Sequence, residues 1–294
     1  MSVFKRTYRR YTGPLNLRRL SGVLVRYGAA DLWGSRITNI IFLLCFVPAL
    51  LSMAIIYIMN NDAVRMLLSG GHGPSAPPIS IDERFFFAMM QAQCWPALVL
   101  IAWIGPRVIS EDLANDALPI ILSHPISRAE YVLAKFTILA GFLSAVTIVP
   151  LTLLFAFQSY MSAEPWGMSH MRTLFGIFAG CILWMAILSA LALGVSAWVK
   201  WRIVATAMIF AVIFVPAAIG AVFNLVMRTN WGNAINIPLT MSTLWRRLLH
   251  VHVPAFMGRS ELSTTTLLIA LGLTMWLCGM ALNARIRAKE VVRG

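Results

Sequence analysis

The chain has 294 residues, of which 59% are hydrophobic and only 12% are charged, and its formal net charge is +13. Ordinary soluble domains carry about 25% charged residues, so this composition excludes a soluble globular protein. A positive net charge can indicate a nucleic-acid partner, but here the cations flank long apolar segments. Membrane insertion and anionic lipid therefore account for the basicity, and we expect no nucleic-acid partner.

The first 36 residues contain eight of the 24 Lys and Arg. Within 14–27, four large residues recur at helical spacing between arginines: Leu17, Leu20, Leu24 and Tyr27. This pattern predicts an amphipathic helix at the membrane surface, with its apolar side in lipid. The same helix could also brace a cytoplasmic partner, and the two interpretations are compatible.

Six intervals contain no Asp, Glu, Lys or Arg: 37–61, 85–106, 136–163, 173–199, 203–227 and 262–284. Each can cross a hydrocarbon core as a helix, which takes about 20 residues. Helices are favoured over a β-barrel because the runs are continuously apolar rather than alternating. The predicted fold class is all-α: a polytopic membrane protein with six transmembrane helices. The first interval is too long, and begins too late, for a cleavable signal peptide.

The distribution of basic residues predicts the orientation. If the amino terminus is cytoplasmic, 17 of the 24 Lys and Arg lie in cytoplasmic segments. The positive-inside rule then places both termini in the cytoplasm. We divide the chain into a cytoplasmic tail with the amphipathic helix (1–36), a transmembrane domain (37–284) and a second cytoplasmic tail (285–294).

The predicted spans carry little reactive chemistry. They hold no ionisable residue except cysteine and tyrosine, whereas ion-coupled carriers usually keep charged groups within the membrane. The motifs HExxH, GxSxG and GxxxxGK[ST] are missing, so we expect that this chain is not an enzyme and does not hydrolyse ATP itself. The four cysteines lie in predicted spans and indicate apolar packing rather than a disulfide or a metal site: Cys45, Cys94, Cys181 and Cys278.

The segment 107–135, between the second and third spans, is charged. Ser110, Glu111 and Asp112 are predicted to cap the start of a short helix. The aliphatic turn of that helix and the break that ends it comprise Leu118, Ile121, Leu122, Ser123, His124 and Pro125. Ser127 is predicted to cap a second helix, which leads into the third span. Two helices around a proline break would form a compact knob at the cytoplasmic face.

The segment 228–261, between the fifth and sixth spans, is too apolar for a loop in water. It predicts one or two short helices that dip into the outer leaflet. Two interpretations stay open: a simple interfacial anchor, or a lid over a pathway between subunits. His250 and His252 lie two residues apart and so on different faces of a helix, which does not favour a metal site.

The segment after the second span resembles that of the membrane subunits of ABC-2 type ABC transporters. In that family an acidic residue, a Gly-Thr-Leu-like turn, an aliphatic run, a Ser-x-Pro break ending in Arg, and a Gly/Ala-Lys pair follow in this order. The matching residues are Asp112 or Glu111, Leu118, Ile120-Ile121-Leu122, Ser123-His124-Pro125-Ile126-Ser127-Arg128 and Ala134-Lys135. The sequence departs from the family pattern at Asp116-Ala117 and at Pro119. The six-span layout agrees with the family over the whole chain.

This resemblance implies the permease subunit of an ATP-driven exporter in the bacterial cytoplasmic (inner) membrane. A coupling helix would dock on a separate ABC ATPase subunit, which would bind ATP and Mg²⁺, so no cofactor is expected in this chain. The implied coupling residues are Glu111, Asp112, Asn115, Asp116, Leu118, Ile121, Leu122, Ser123, His124, Pro125, Ser127 and Arg128.

The resemblance also assigns the flanking segments. It makes 14–27 a connecting helix and 228–261 an external gate, and it implies a second permease copy, as a homodimer or a related heterodimer. The implied gate residues are Pro238, Leu244, Trp245, Leu248 and Phe256. Two alternatives remain: a membrane scaffold subunit that docks a soluble partner without transporting anything, and a secondary carrier.

Overall fold

The computed structural model describes residues 20–68, 80–114, 127–162, 165–199, 201–251 and 262–291. Within these ranges the chain forms helices and turns and no strand. The helices are α1 (Leu20–Trp33), α2 (Arg36–Leu44), α3 (Val47–Asn60), α4 (Asp62–Leu68), α5 (Glu83–Ala114), α6 (Arg128–Met161), α7 (Trp166–Ser169), α8 (Met171–Trp198), α9 (Arg202–Met227), α10 (Ile237–Leu248) and α11 (Thr264–Val291). A 3₁₀ turn, Trp231–Ile235, precedes α10. The predicted all-α class is confirmed for this part of the chain.

Six helical spans are long and apolar enough to cross a membrane, as predicted: Arg36–Asn60, Glu83–Ser110, Arg128–Met161, Met171–Trp198, Arg202–Met227 and Thr264–Arg285. Several extend beyond the uncharged intervals, because a long basic side chain at a helix end can reach the headgroup region while its backbone stays helical. The chain therefore has the architecture of a multi-pass helical membrane protein. The side of the membrane on which its termini lie stays a prediction.

Three central spans, α5, α6 and α8, pack against one another. Their most apolar stretches are 61%, 56% and 56% buried, against 22%, 22% and 17% for the α2 and α3 span, α9 and α11. The outer spans pack on this centre from different sides: α2, α3 and α9 contact α5, and α11 contacts α8. Their remaining apolar faces point outward, as expected of helices in lipid.

The first span is interrupted between α2 and α3. Pro48, in the first turn of α3, has no N–H to bond the preceding turn. Gln93 of α5, which is 2% exposed, donates its amide N–H groups to the carbonyls of Cys45 (2.7 Å) and Val146 (2.8 Å). The Val146 carbonyl lacks its helical partner because Pro150 stands four residues later. One buried amide thus satisfies carbonyls in two neighbouring spans.

Helix α1 lies against α6. Gly28 allows this contact, since a Cβ there would lie 2.5 Å from Ile138 Cδ1. The predicted amphipathic helix 14–27 coincides with α1 only in part: the structure describes the chain from residue 20, and the helix continues to Trp33. Leu32, near the carboxyl-terminal end of α1, is 2% exposed and anchors that end, whereas Tyr27 is 73% exposed. A membrane-surface location for α1 stays a prediction.

The spans alternate in direction, which gives the bundle two ends. At one end, Ser110 of α5 donates its hydroxyl to the carbonyls of Ser196 (3.0 Å) and Val199 (2.8 Å), near the end of α8. At the same end, Trp198 Nε1–H donates to the carbonyl of Ala281 in α11 (3.0 Å). We call it the basic end, after the cations on the helix ends gathered there: Arg36, Arg107, Arg128, Lys135, Arg202 and Arg285.

At the opposite end, called the far end below, hydrogen bonds to uncharged acceptors join neighbouring helices. Asn60 of α3 donates its side-chain amide to Gln158 Oε1 near the end of α6 (2.8 Å). Arg247 of α10 donates to Thr264 Oγ1 at the start of α11 (2.8 Å) and to the Leu262 carbonyl (2.6 Å). Helix α10 therefore belongs to the far end.

Candidate functional site

The end of α5 carries the first residues of the predicted coupling segment. We predicted that Ser110, Glu111 and Asp112 begin a short helix, and this is wrong: α5 continues without interruption to Ala114. The stretch 107–114 contains neither glycine nor proline, so nothing in it ends the helix. Acidic side chains are unfavourable near a helix carboxyl terminus. This end of α5 therefore needs a compensating cation.

Lys135 of α6 supplies that cation. Its Nζ lies 2.7 Å from Asp112 Oδ2, and the Tyr131 hydroxyl donates to the same oxygen at 2.7 Å. The Lys135 side chain is 9% exposed and that of Asp112 is 21% exposed, while Tyr131 is fully buried. Charge-assisted hydrogen bonds of this kind are short and strong. We call these three residues the Asp112 cluster; it joins the last turn of α5 to the first two turns of α6.

A cavity of about 230 Å³ lies beside the Asp112 cluster, between α1, α5 and α6. Leu24, Tyr27 and Asp31 of α1 line one side of it, and Asp112 and Lys135 line the other. Two sets of residues that the sequence assigned to different functions, the connecting helix and the coupling segment, thus meet around one cavity. Helix α1 therefore faces the Asp112 cluster across this cavity.

The start of α6 confirms a local prediction. Ser127 caps the helix: its hydroxyl accepts from the Glu130 N–H (3.2 Å), and the Ser127 N–H donates to Glu130 Oε2 (2.8 Å). This reciprocal capping box satisfies the backbone N–H groups of both Ser127 and Glu130. Arg128 is the first residue of α6.

Most of the predicted coupling segment lies outside the described residues. This holds for Asn115, Asp116, Leu118, Ile121, Leu122, Ser123, His124 and Pro125, and also for Leu17 and Phe256. Glu111 and Leu20 are placed in α5 and α1 by their backbones alone. The Asp112 cluster and the Ser127 cap stand at the two edges of this stretch, on the central spans α5 and α6.

At the far end, the apolar segment after α9 forms the 3₁₀ turn and α10, which confirms the predicted short helices. Asn236 caps α10 by accepting from the Leu239 N–H (3.1 Å), and Pro238 stands in its first turn, where its missing N–H costs nothing. Helix α10 packs on α8. Its apolar side is covered by protein.

Trp245 shows this most clearly. It is 2% exposed, and its indole N–H donates to the Gly180 carbonyl (3.1 Å). A Cβ on Gly180 would lie 2.6 Å from the Trp245 ring, and a Cβ on Gly176 would lie 2.9 Å from Leu249 Cδ2, so these two glycines allow α10 to pack closely on α8. Leu244 is also buried, and Leu248 is 37% exposed. Leu244 and Trp245 therefore pack on protein, and the predicted position of this segment in the outer leaflet stays a prediction.

Sequence reasoning missed Tyr131 and Lys135 as partners of Asp112. A usable signal existed: the two residues are four apart, on one face of a helix, next to a long uncharged interval.

Among the described residues, no three His, Cys, Asp or Glu side chains come together in a way that could hold a metal ion. No protein-family model matches the chain, and no curated protein matches it.

Proposed function

We propose that this chain is the membrane-spanning subunit of an ATP-driven exporter and that a separate ATPase subunit docks on the segment 115–126. The observation that carries the proposal is the Asp112 cluster, which binds the two helices bordering that segment to each other through a largely buried ion pair. A push on the segment would move α5 and α6 together, because the cluster prevents their ends from sliding apart.

The packing of the central spans supports the same reading. Helices α5 and α6 both contact α8, and α8 in turn contacts α10 at the far end. A movement that begins at the basic end therefore has a continuous path of packed helices to the opposite side. The exposed faces of α9 and α11 leave room for a second permease copy in the bilayer. A secondary carrier usually binds its coupling ion at a charged residue within the membrane, and the predicted spans contain no Asp, Glu, Lys or Arg.

A test separates docking from coupling. The tagged protein is purified from membranes of its native host, and bound P-loop ATPase is identified by mass spectrometry and assayed for ATP hydrolysis. Replacement of exposed Trp231 by cysteine provides a maleimide label at the far end. ATP should change the labelling rate of Trp231→Cys in the complex, since the far end moves when the ATPase acts.

Two variants then divide the mechanism. Leu118→Asp should abolish ATPase binding. The double variant Asp112→Asn with Lys135→Met should keep ATPase bound and active but lose the ATP-dependent change in labelling, because the helices are no longer tied. Glu83→Gln, which changes an acid at the other end of the same helix, should behave as wild type. If no ATPase copurifies, or if a bound ATPase never alters far-end labelling, a scaffold subunit explains the protein better.

A further inference from the structure

The chain leaves α10 in an uncommon backbone conformation. His250 has a φ of 56°, in the left-handed region, where glycine is the usual residue after a helix. Its N–H donates to the Arg247 carbonyl (3.3 Å), and the N–H of Val251 donates to the Arg246 carbonyl (2.9 Å), which is the Schellman pattern of a helix end. A residue with a side chain is strained in this conformation, and such strain is often found at functional positions. The contacts of the His250 side chain therefore bear on its role.

One of these contacts depends on the charge of the imidazole. Arg172, in the first turn of α8, donates from its guanidinium to His250 Nε2, because an arginine side chain has donors and no acceptor. The ring proton then lies on Nδ1, which faces the Leu248 carbonyl at 3.3 Å. An imidazolium has no lone pair to offer Arg172 and carries a like charge. The contact between α8 and the end of α10 therefore requires a neutral His250.

A second histidine, just before the start of α8, has the opposite surroundings. His170 Nε2 lies 3.9 Å from Glu83 Oε1 at the start of α5, and its ring stacks on Trp166 with 4.2 Å between the ring centres. An anion and an aromatic face both attract an imidazolium. The other charges at that end of α5, Asp82 and Arg84, are of opposite sign, and the last two turns of α6 and all of α7 carry none. Protonation of His170 therefore strengthens a contact between α8 and α5.

The surroundings of His250 contain mostly cations. Within the described residues, α11 and the 3₁₀ turn carry no charge near the far end. Helix α5 begins with Glu83 and Arg84, of which Glu83 faces His170. The charged groups that α8, α9 and α10 place at this end are all arginines: Arg172, Arg228, Arg246 and Arg247. Like charges repel, so these arginines oppose a positive charge on His250.

We propose that the two histidines form a pH-sensitive latch at the far end. Near pH 8 the start of α8 is tied to the end of α10 through Arg172 and His250. Near pH 5 that contact is broken, and the start of α8 is held by α5 instead, through His170 and Glu83. Histidine is the side chain whose charge ordinarily changes between these two pH values. One change of pH thus loosens one helix contact and tightens another on the same helix.

The latch acts on a small part of α10. Trp245, five residues before His250, keeps its hydrogen bond to the Gly180 carbonyl, because neither group titrates in this range. The part that is released is the point where the chain leaves the helix, at Val251, which is 5% exposed. If the far end is the outer side, as the positive-inside rule predicts, the pH of the outer compartment controls this point. The latch needs no ATPase, so it stands apart from the proposed transport function.

Amide hydrogen exchange of the full-length protein in detergent micelles tests the latch. Mass spectrometry at pH 8 and pH 5, corrected for the intrinsic exchange rate at each pH, gives the protection of the His250 and Val251 N–H groups. In the wild type this protection should fall about fivefold at pH 5, the factor expected when one hydrogen bond is lost. Protection of 184–192, in the middle of α8, should not change, which would exclude general unfolding.

Two variants test the contact with α10. His250→Asn keeps a residue that tolerates the left-handed conformation but does not titrate, so protection at 250–251 should be the same at both pH values. Arg172→Met removes the donor, so protection at pH 8 should already be as low as that of the wild type at pH 5. Arg84→Met removes a different cation at the same end and should keep the wild-type response to pH.

A third variant tests the contact with α5. The N–H groups of Thr173 and Leu174 donate to the His170 carbonyl at the start of α8. Their protection in the wild type should rise about twofold at pH 5, as expected when an exposed ion pair forms. Glu83→Gln should abolish this rise and leave the response at 250–251 unchanged.

Other results would overturn the proposal. Equal wild-type protection of 250–251 at both pH values would show that the contact between Arg172 and His250 does not hold the end of α10. A full acid-induced fall in His250→Asn would assign the response to a different group. A rise at 173–174 that survives in Glu83→Gln would show that α5 does not take over the start of α8. None of these measurements involves an ATPase, so the proposed transport function keeps its own test.

Discussion

Different interactions hold neighbouring helices together at the two ends of the bundle. At the basic end, neighbouring spans are joined by the ion pair of Asp112 and Lys135 with the Tyr131 hydroxyl. At the far end, α8 and α10 are joined by the close packing of Trp245 on Gly180. Dense packing has few alternative arrangements, whereas a small number of charged contacts can be exchanged for others. We infer that α8 and α10 move as one unit at the far end and that the basic end is the place where a partner can act.

Loss of the far-end anchor should have the largest effect. Trp245→Ala removes a buried indole, for which the expected cost is about 4 kcal/mol of unfolding free energy. Unfolding in mixed micelles with increasing sodium dodecyl sulfate, followed by circular dichroism, would measure it. The matched control is Trp231→Ala, because Trp231 lies in the adjoining 3₁₀ turn and is 63% exposed. Equal losses for the two variants would show that α10 is not held by packing on α8.

Breaking the ion pair at the basic end should have the next largest effect on stability, and this effect should depend on charge. Lys135→Met leaves Asp112 partly buried without its cation, at a cost of roughly 3 kcal/mol. The added change Asp112→Asn removes the stranded charge, so the double variant should regain most of that loss. The same unfolding assay, run as a double-mutant cycle, measures the coupling energy between the two sites. A coupling energy near zero would mean that the ion pair does not hold α5 to α6.

Glu83 and His170 give a reference for that measurement. Their side chains lie 3.9 Å apart at the far end and are 42% and 24% exposed. Exposed pairs of this kind contribute about 0–1 kcal/mol. Glu83→Gln should therefore leave stability almost unchanged, and the contrast with Lys135→Met would show how much burial contributes to the basic-end contact.

The features that sequence predicted well depend on nearby residues. Uncharged runs identified all six spans, since a long apolar helix is a property of one segment. The cap formed by Ser127 and Glu130 was predictable because both partners lie within one turn. The false helix start at Ser110 arose from the same local logic: a serine followed by two acidic residues resembles an amino-terminal cap unless their distant cation, Lys135, is known.

The far end shows a second limit. The apolar residues of α10 were correctly predicted to be helical, but their protein neighbour was not predicted. Protein interior and hydrocarbon are equally apolar, so hydrophobicity does not distinguish them. The glycines of α8 held the missing information, because Gly176 and Gly180 make room for a neighbouring helix. Only the structure shows that this neighbour is α10.

Among the buried contacts, the smallest expected loss of stability concerns Gln93, in the middle of the bundle. Gln93→Leu should leave the carbonyls of Cys45 and Val146 without donors, at a cost of about 2 kcal/mol in the unfolding assay. Pro150→Ala returns an N–H to the Val146 carbonyl, so Gln93→Leu should cost less when it is made in a Pro150→Ala background. If Gln93→Leu costs the same in both backgrounds, the amide does not replace the hydrogen bond that Pro150 removes. A smaller cost would show that the Gln93 amide compensates for the hydrogen bond that Pro150 removes from the Val146 carbonyl.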